Sequence, residues 1–409
     1  MQLPVLTRRR NKIFSETIDK SRLLLYNNTV NIFTRPNKSI KMKKKDIKNV
    51  IIIAVVLAAI LFGAIFLSNQ NRYQKYASPI KSVERINVSL ESDIPLPTSD
   101  DIAEYVNGEN HFLVYGNTEN SVLYFACMLP DSTKTVFFKY STLNGNISKI
   151  NAEVEYTPTF FYSDRFIYYL KPKDGNYSGT VNYLCRVPTS GGNEQILAEY
   201  DLGNVTSASL HFVVENKVIL SLSKKIFAYD LDKNETITLL DAEKNGFDLI
   251  VSDIWYYSGN LYFSALSETR ENNIPTAENF PEDVTPVNSR YLIRLNIKTK
   301  KSSLMFNEPI NCFYMTENEI IYMPKVHNVT EIGGKLMPLY CDKIFACDLD
   351  GKNSREIFSG LDIWAYSILA IKDEKIYVRD GYAETSKESI KEIDINTGEV
   401  GIYRGEKTE

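Results

Sequence analysis

The chain has 409 residues, five cysteines, three histidines and a formal net charge of −4. That length is ample for one large core, while five cysteines are too few and too odd in number for a disulfide-built scaffold. Charge is divided unevenly: 13 Lys and Arg against three acids (Glu16, Asp19, Asp46) precede Val50, leaving 34 basic and 48 acidic residues beyond it. Nucleic acid and anionic lipid both need a basic face, so the acidic body excludes a nucleic-acid partner.

Residues 1–48 read as a basic cytoplasmic tail with neither helical nor strand periodicity. Translation begins at Met1 or at Met42, where MKKKDIKNV ahead of an apolar run has the form of a bacterial signal or anchor start. Val50 to Leu67, VIIIAVVLAAILFGAIFL, holds 18 residues without a polar or charged one. At about 1.5 Å per residue such a helix covers most of a hydrocarbon core roughly 30 Å thick. Residues 49–68 are therefore expected to be a single transmembrane signal anchor. Lys38, Lys41, Lys43, Lys44, Lys45 and Lys48 crowd its amino side, against Arg72 and Lys75 beyond it. By the positive-inside rule the amino end stays in the cytoplasm and the carboxyl part lies outside the cell. Residues 69–109, polar with scattered prolines, read as an extracellular stalk, in which Arg85 to Leu90 alternates well enough to dock as an outer strand.

From residue 110 to 409 a Φ-Y-Φ-like strand recurs six times: Leu123-Tyr124-Phe125, Ile167-Tyr168-Tyr169, Ile219-Leu220-Ser221, Leu261-Tyr262-Phe263, Ile321-Tyr322-Met323 and Ile376-Tyr377-Val378. A tight-turn cluster precedes each: Gly116-Asn117, Ser163-Asp164, Glu215-Asn216, Ser258-Gly259-Asn260, Glu317-Asn318 and Lys372-Asp373. A second hairpin follows each, clearest in Lys343 to Phe358 (KIFACDLDGKNSREIF) and Lys225 to Leu240 (KIFAYDLDKNETITLL). Four strands per unit at this period predict an all-β fold, a six-bladed β-propeller of four-stranded antiparallel blades preceded by the single transmembrane helix. Blade one is expected to close against blade six.

This cadence resembles that of bacterial six-bladed propellers of the TolB-like and low-density-lipoprotein-receptor-like kind, and in particular a domain of unknown function in membrane-anchored surface proteins of low-GC Gram-positive bacteria. The resemblance implies a fold and brings no catalytic residues with it. Two insertions depart from the pattern, Glu268 to Ser289 in blade four and Val326 to Pro338 in blade five.

No GxSxG, HExxH or P-loop motif occurs, and no catalytic residue, metal or cofactor is assigned. The DLDGKN run lacks the ligand order of an EF-hand and reads as a hairpin turn. The five cysteines are expected to be reduced and mostly buried. Both tryptophans sit in a D-I-W-x-Y pentapeptide, Asp253-Trp255-Tyr257 and Asp362-Trp364-Tyr366. They read as packing anchors between blades, since Phe160, Phe212 and Phe313 hold equivalent places. As a candidate ligand site, the same six residues would line one mouth of the channel, joined by Phe280 and His327 from the insertions. The favoured reading is a membrane-anchored, non-catalytic surface module binding an extracellular protein, peptide or glycan. The alternative is an envelope hydrolase or lyase working with carboxylates at the channel.

Overall fold

Aromatic and β-branched residues recur at alternate positions beyond residue 110, and the chain there is a succession of antiparallel strands. The computed structural model describes residues 56, 57, 60, 78–81, 95–106, 110–129, 134–155, 159–173, 181–201, 208–222, 224–267, 290–325, 328–332, 335–339, 341, 343–359, 367–380 and 389–404. They belong to two units, 1–71 and 72–409. In the first, Val56, Leu57 and Ile60 are helical and exposed, and the rest of the tail and apolar run lies outside the described residues. Among the described residues no helix is long and apolar enough to cross a membrane.

In the second unit, β1 is Ile80–Lys81, and a short 3₁₀ turn over Asp100–Tyr105 buries Ile102. Four-stranded runs then follow one another. The first is β2 (Phe112–Glu119), β3 (Val122–Leu129), β4 (Lys134–Ser141) and β5 (Ile147–Glu155); the second is β6 (Phe160–Ser163), β7 (Phe166–Pro172), β8 (Val181–Pro188) and β9 (Gln195–Asp201). The third is β10 (Ala208–Val214), β11 (Lys217–Leu222), β12 (Lys225–Asp230) and β13 (Glu235–Asp241). A nine-stranded sheet comes next, built from β14 (Leu249–Tyr257), β15 (Asn260–Leu266), β16 (Arg290–Asn296) and β17 (Ser302–Leu304), then β18 (Ile310–Met315) and β19 (Glu319–Pro324). After β19 a separate hairpin, β20 (Asn328–Ile332) with β21 (Lys335–Leu339), interrupts the chain before β22 (Lys343–Asp348) and β23 (Arg355–Ser359) complete the sheet. β1 adds its edge to β14. One ladder pair, Arg290↔Ile310, joins β16 to β18, so this sheet divides into a fourth and a fifth run. The last sheet is β24 (Ser367–Lys372), β25 (Lys375–Asp380), β26 (Ser389–Asp394) and β27 (Val400–Arg404).

Each Φ-Y-Φ segment is the second strand of its run, and each Asp- or Asn-rich turn joins the third strand to the fourth. Second strands are almost wholly buried, as in β3 and β11, whereas fourth strands such as β9 and β23 are largely exposed. First strands of successive runs lie side by side: β2 by β6, β6 by β10, β18 by β24. The first strands therefore face the middle and the fourth strands the outside, an arrangement consistent with a propeller. The core lies between sheets: one cluster joins the second, third and fourth runs through Phe212, Tyr256 and Phe263, another the fourth to sixth through Trp255, Phe313 and Ile376.

The turns are where the sequence reading needs correction. The first hairpin of run one turns at Asn120-Ser121, not at Gly116-Asn117. Both residues have positive φ (51° and 60°), as do Asp164-Arg165, Glu215-Asn216, Ser258-Gly259 and Asp373-Glu374. Two consecutive positive φ values match the right-handed strand twist across a two-residue turn. Gly116 instead lies where the β2–β3 register shifts. A Cβ there would stand 2.6 Å from Phe160 Cε2, so glycine is required by the neighbouring sheet. Asn117 beside it binds that sheet's backbone twice, donating to Tyr162 O at 3.0 Å and accepting from Tyr162 N at 2.9 Å. Residues 85–90, expected as an outer strand, lie outside the described residues. The pieces of the 69–109 segment that are described are tied down: Tyr115 and Tyr140 donate to the carbonyls of Pro97 and Pro95, and β1 pairs with β14. All five cysteines are buried and unbridged.

Candidate functional site

Of the eight residues singled out by sequence, only part can be placed. Phe280, His327, Asp362, Trp364 and Tyr366 lie outside the described residues, and of Asp253 only its place in β14 is described. Asp253 falls where the β14–β15 register shifts, between Ile250 and Ile254. Trp255 and Tyr257 lie beyond the shift, on the first strand of run four, opposite Tyr262 and Asn260.

Trp255 is buried and meets Tyr314 of β18 edge to face, with ring centroids 4.7 Å apart. This contact spans two runs, and a T-shaped pair of this kind contributes about 0.5–1.5 kcal/mol beyond area burial. The two rings also receive a cation. Ile80 pairs with Tyr256 and Lys81 with Trp255 across an antiparallel ladder. That register sets the Lys81 ammonium 5.5 Å from the Trp255 ring and 4.8 Å from the Tyr314 ring. A cation over such faces gains roughly 0.5–2 kcal/mol, depending on how dry the seat is. Ser78, three residues earlier, donates to Glu317 Oε1 at 2.6 Å in the β18–β19 turn. On the other side Tyr256 donates to Glu215 Oε1 in the β10–β11 turn and accepts from Gly259 N at 3.2 Å. Carboxylates from runs three and five thus stand at the same end of the site. The indole N–H of Trp255 is buried and has no hydrogen-bond partner among the described residues.

Sequence reasoning missed Lys81, Tyr314 and Glu317, because no spacing connects residue 81 to residues 255 and 314. It also missed a buried His211–Ser221 pair, Nε2 to Oγ 2.8 Å, formed because His211 falls at a register shift in the β10–β11 ladder. Burial pushes the His211 imidazole down to about 3, so it is neutral. With no exposed surface it presents no base to a substrate.

Carboxylates elsewhere are engaged. Lys171 meets Glu194 at 2.5 Å and Glu155 at 3.8 Å, and Tyr169 donates to Glu194. Burial, then the Glu194 carboxylate, drive the Tyr169 hydroxyl far above its usual range. Asp230 and Asp394 accept paired backbone N–H groups of their own turns, which confirms these as turns. Among the described residues no group of three or more His, Cys, Asp or Glu could hold a metal ion.

No protein-family model matches the chain, and no curated protein matches it. Several solved structures are similar to it. The β-propeller domain of the Trilobed protease from Pyrococcus furiosus, described as having an open velcro topology, is 13% identical over 71% of this chain and 82% of that one, at a TM-score of 0.41. Oligopeptidase B from Leishmania major is 10% identical over 75% of this chain, at 0.49; the chain spans only 42% of that protein. TolB from Acinetobacter baumannii is 10% identical over 76% and 72% of the two chains, at 0.31. All three scores lie below 0.5, and nothing about this chain's activity follows from them.

Proposed function

We propose that the chain is a six-bladed β-propeller, carried on the outer side of a bacterial membrane by the Val50–Leu67 helix, that acts as a non-catalytic recognition module for an extracellular protein, peptide or glycan. Six four-stranded runs, with the first strands of runs one and two, two and three, and five and six adjoining, support the blade count. The lysines before Val50 and the acidic body support the orientation.

One observation carries the binding role. The two insertions leave equivalent places, between the second and third strands of runs four and five. The residue that follows the first, Arg290, pairs with Ile310, and Ile310 pairs in turn with Pro324, just before the second. Adjacent strands lie about 4.8 Å apart, so the two roots stand within about 10 Å of each other on one face. The second insertion is itself built, as the β20–β21 hairpin. Adjacent insertions on a rigid scaffold are where recognition residues concentrate. The carboxylate-enzyme alternative has Glu155 and Glu194 in its favour, but both are held by Lys171.

Replacing residues 268–289 and 326–338 with short turns should leave the melting temperature within a few degrees of native, as roughly expected for surface insertions. Cross-linking on intact cells should lose the partner bands that the native chain gives. Equal cross-linking by the trimmed chain would move the binding face elsewhere.

A further inference from the structure

The turn between β4 and β5 brings a reactive side chain onto its own backbone. Ser141 closes the turn: its N–H donates to Asn146 O at 2.9 Å, and its carbonyl accepts from Gly145 N at 2.9 Å. Residues 143–146 are exposed. Gly145 sits at φ +72°, a conformation that residues with a Cβ rarely adopt, so the turn selects glycine there. Asn144 precedes it, and its Oδ1 accepts from Asn146 N at 3.1 Å. That Asx turn folds the carboxamide back over the Gly145 peptide group. Its Nδ2 has no hydrogen bond among the described residues. A second Asn-Gly pair, Asn245-Gly246, is equally exposed but is held. Asn245 Nδ2 donates to Asp241 O at 2.7 Å and Oδ1 accepts from Ser302 Oγ at 3.2 Å, so this carboxamide is fixed at both ends. A third pair, Asn107-Gly108, lies outside the described residues.

We propose that Asn144-Gly145 is a self-modifying site, at which the folded chain converts its own asparagine through a cyclic imide into aspartate and isoaspartate. Gly145 N gives its proton to hydroxide and attacks Asn144 Cγ, and Oδ1 takes up the negative charge. The Asn146 N–H already points at that oxygen and stabilises the charge as an oxyanion donor does. The bond from Cγ to Nδ2 then breaks, water protonates the nitrogen, and ammonia leaves. Water adds to one or the other carbonyl of the ring and opens it to the α-linked or β-linked acid. A side chain at position 145 would crowd the attack, so the glycine that the turn needs also opens the reaction. Gly145 N–H must first leave Ser141 O, an opening that an exposed turn makes at little cost. Either product places a new negative charge on this turn, and isoaspartate lengthens its backbone by a methylene. The inference stands on the turn alone and does not rest on the binding role proposed above.

The test follows the full chain in mildly alkaline buffer by peptide mapping with mass spectrometry, which separates asparagine, aspartate and isoaspartate at each position. The same chain unfolded in guanidinium chloride is the reference, since there each Asn-Gly pair reacts as a free peptide does. In the folded chain Asn144 should convert within about threefold of its unfolded rate, because an exposed turn opens freely, while Asn245 should be slowed about tenfold or more. Conversion at Asn144 should quicken as pH rises, since the attacking nitrogen must lose its proton, and should leave both acids. Asn245 keeping pace with Asn144 in the folded chain, or Asn144 slowed as much as Asn245, would overturn the proposal. A rate at Asn144 that ignores pH, or aspartate formed there without isoaspartate, would exclude the imide route and overturn it as well.

Discussion

His211 shows how one backbone irregularity sets a property of the whole chain. The register shift in β10 turns its ring into the core, where Nε2 meets Ser221 Oγ and Nδ1 has no hydrogen-bond partner among the described residues. In the folded state it titrates near 3, and in the unfolded state near the ordinary value of 6.5. Between those values the unfolded chain binds the extra proton, so stability falls as pH drops from about 6.5 toward 3. The urea midpoint of the native chain should decline over that window. His211→Gln, which does not titrate, should show a shallower decline, by roughly one proton's worth of linkage. Equal slopes for the two chains would show that His211 is not held neutral.

Between elements, the sheets are held by contacts no hairpin pattern predicts. Gly116 admits the edge of Phe160, and Asn117 pairs with the Tyr162 backbone like an extra strand residue. Tyr124 stacks on Tyr162 at 3.6 Å across the same boundary. Gly116→Ala would put a methyl 2.6 Å from Phe160 and 2.9 Å from the Tyr124 carbonyl oxygen, and the latter, being backbone, cannot swing away. It should cost about 1–3 kcal/mol, the range for overpacking a close-packed boundary, read as a lowered melting temperature. Adding Phe160→Leu should recover part of the loss. A Gly116→Ala chain as stable as native would mean the two sheets are free to part. At this scale the sequence was partly misleading: glycine beside asparagine reads as a turn, but here the glycine answers a ring 44 residues away.

At the scale of the molecule, the proposed topology makes a direct prediction. Protease added to intact cells should digest residues 72–409 and spare an epitope placed before residue 40, as followed by immunoblot. Protection of the carboxyl part would reverse the orientation drawn from the lysine cluster. The same scale decides what the preceding segment does. Residues 69–109 read as a stalk with a docking strand at 85–90, which lies outside the described residues; in the structure Pro95 and Pro97 accept hydrogen bonds from run one, and Ile80–Lys81 joins the edge of run four.

The sequence by itself determined the strands, their grouping in fours and the place of each third-to-fourth turn, because alternation and Asx-turn chemistry are local. It also set the unbridged, buried character of the cysteines, since each lies in or beside an apolar strand. Only the tertiary structure decided which residues meet. Trp255 was visible as one of two tryptophans, but its partners Tyr314 and Lys81 lie 59 and 174 positions away. Their meeting depends on the order in which sheets pack and on a two-residue ladder, neither of which leaves a periodic trace. The same holds for the register shifts that carry Asn117, His211 and Asp253. A shift changes which face a side chain takes without changing the apolar pattern on either side, and so it is written in the fold rather than in the composition.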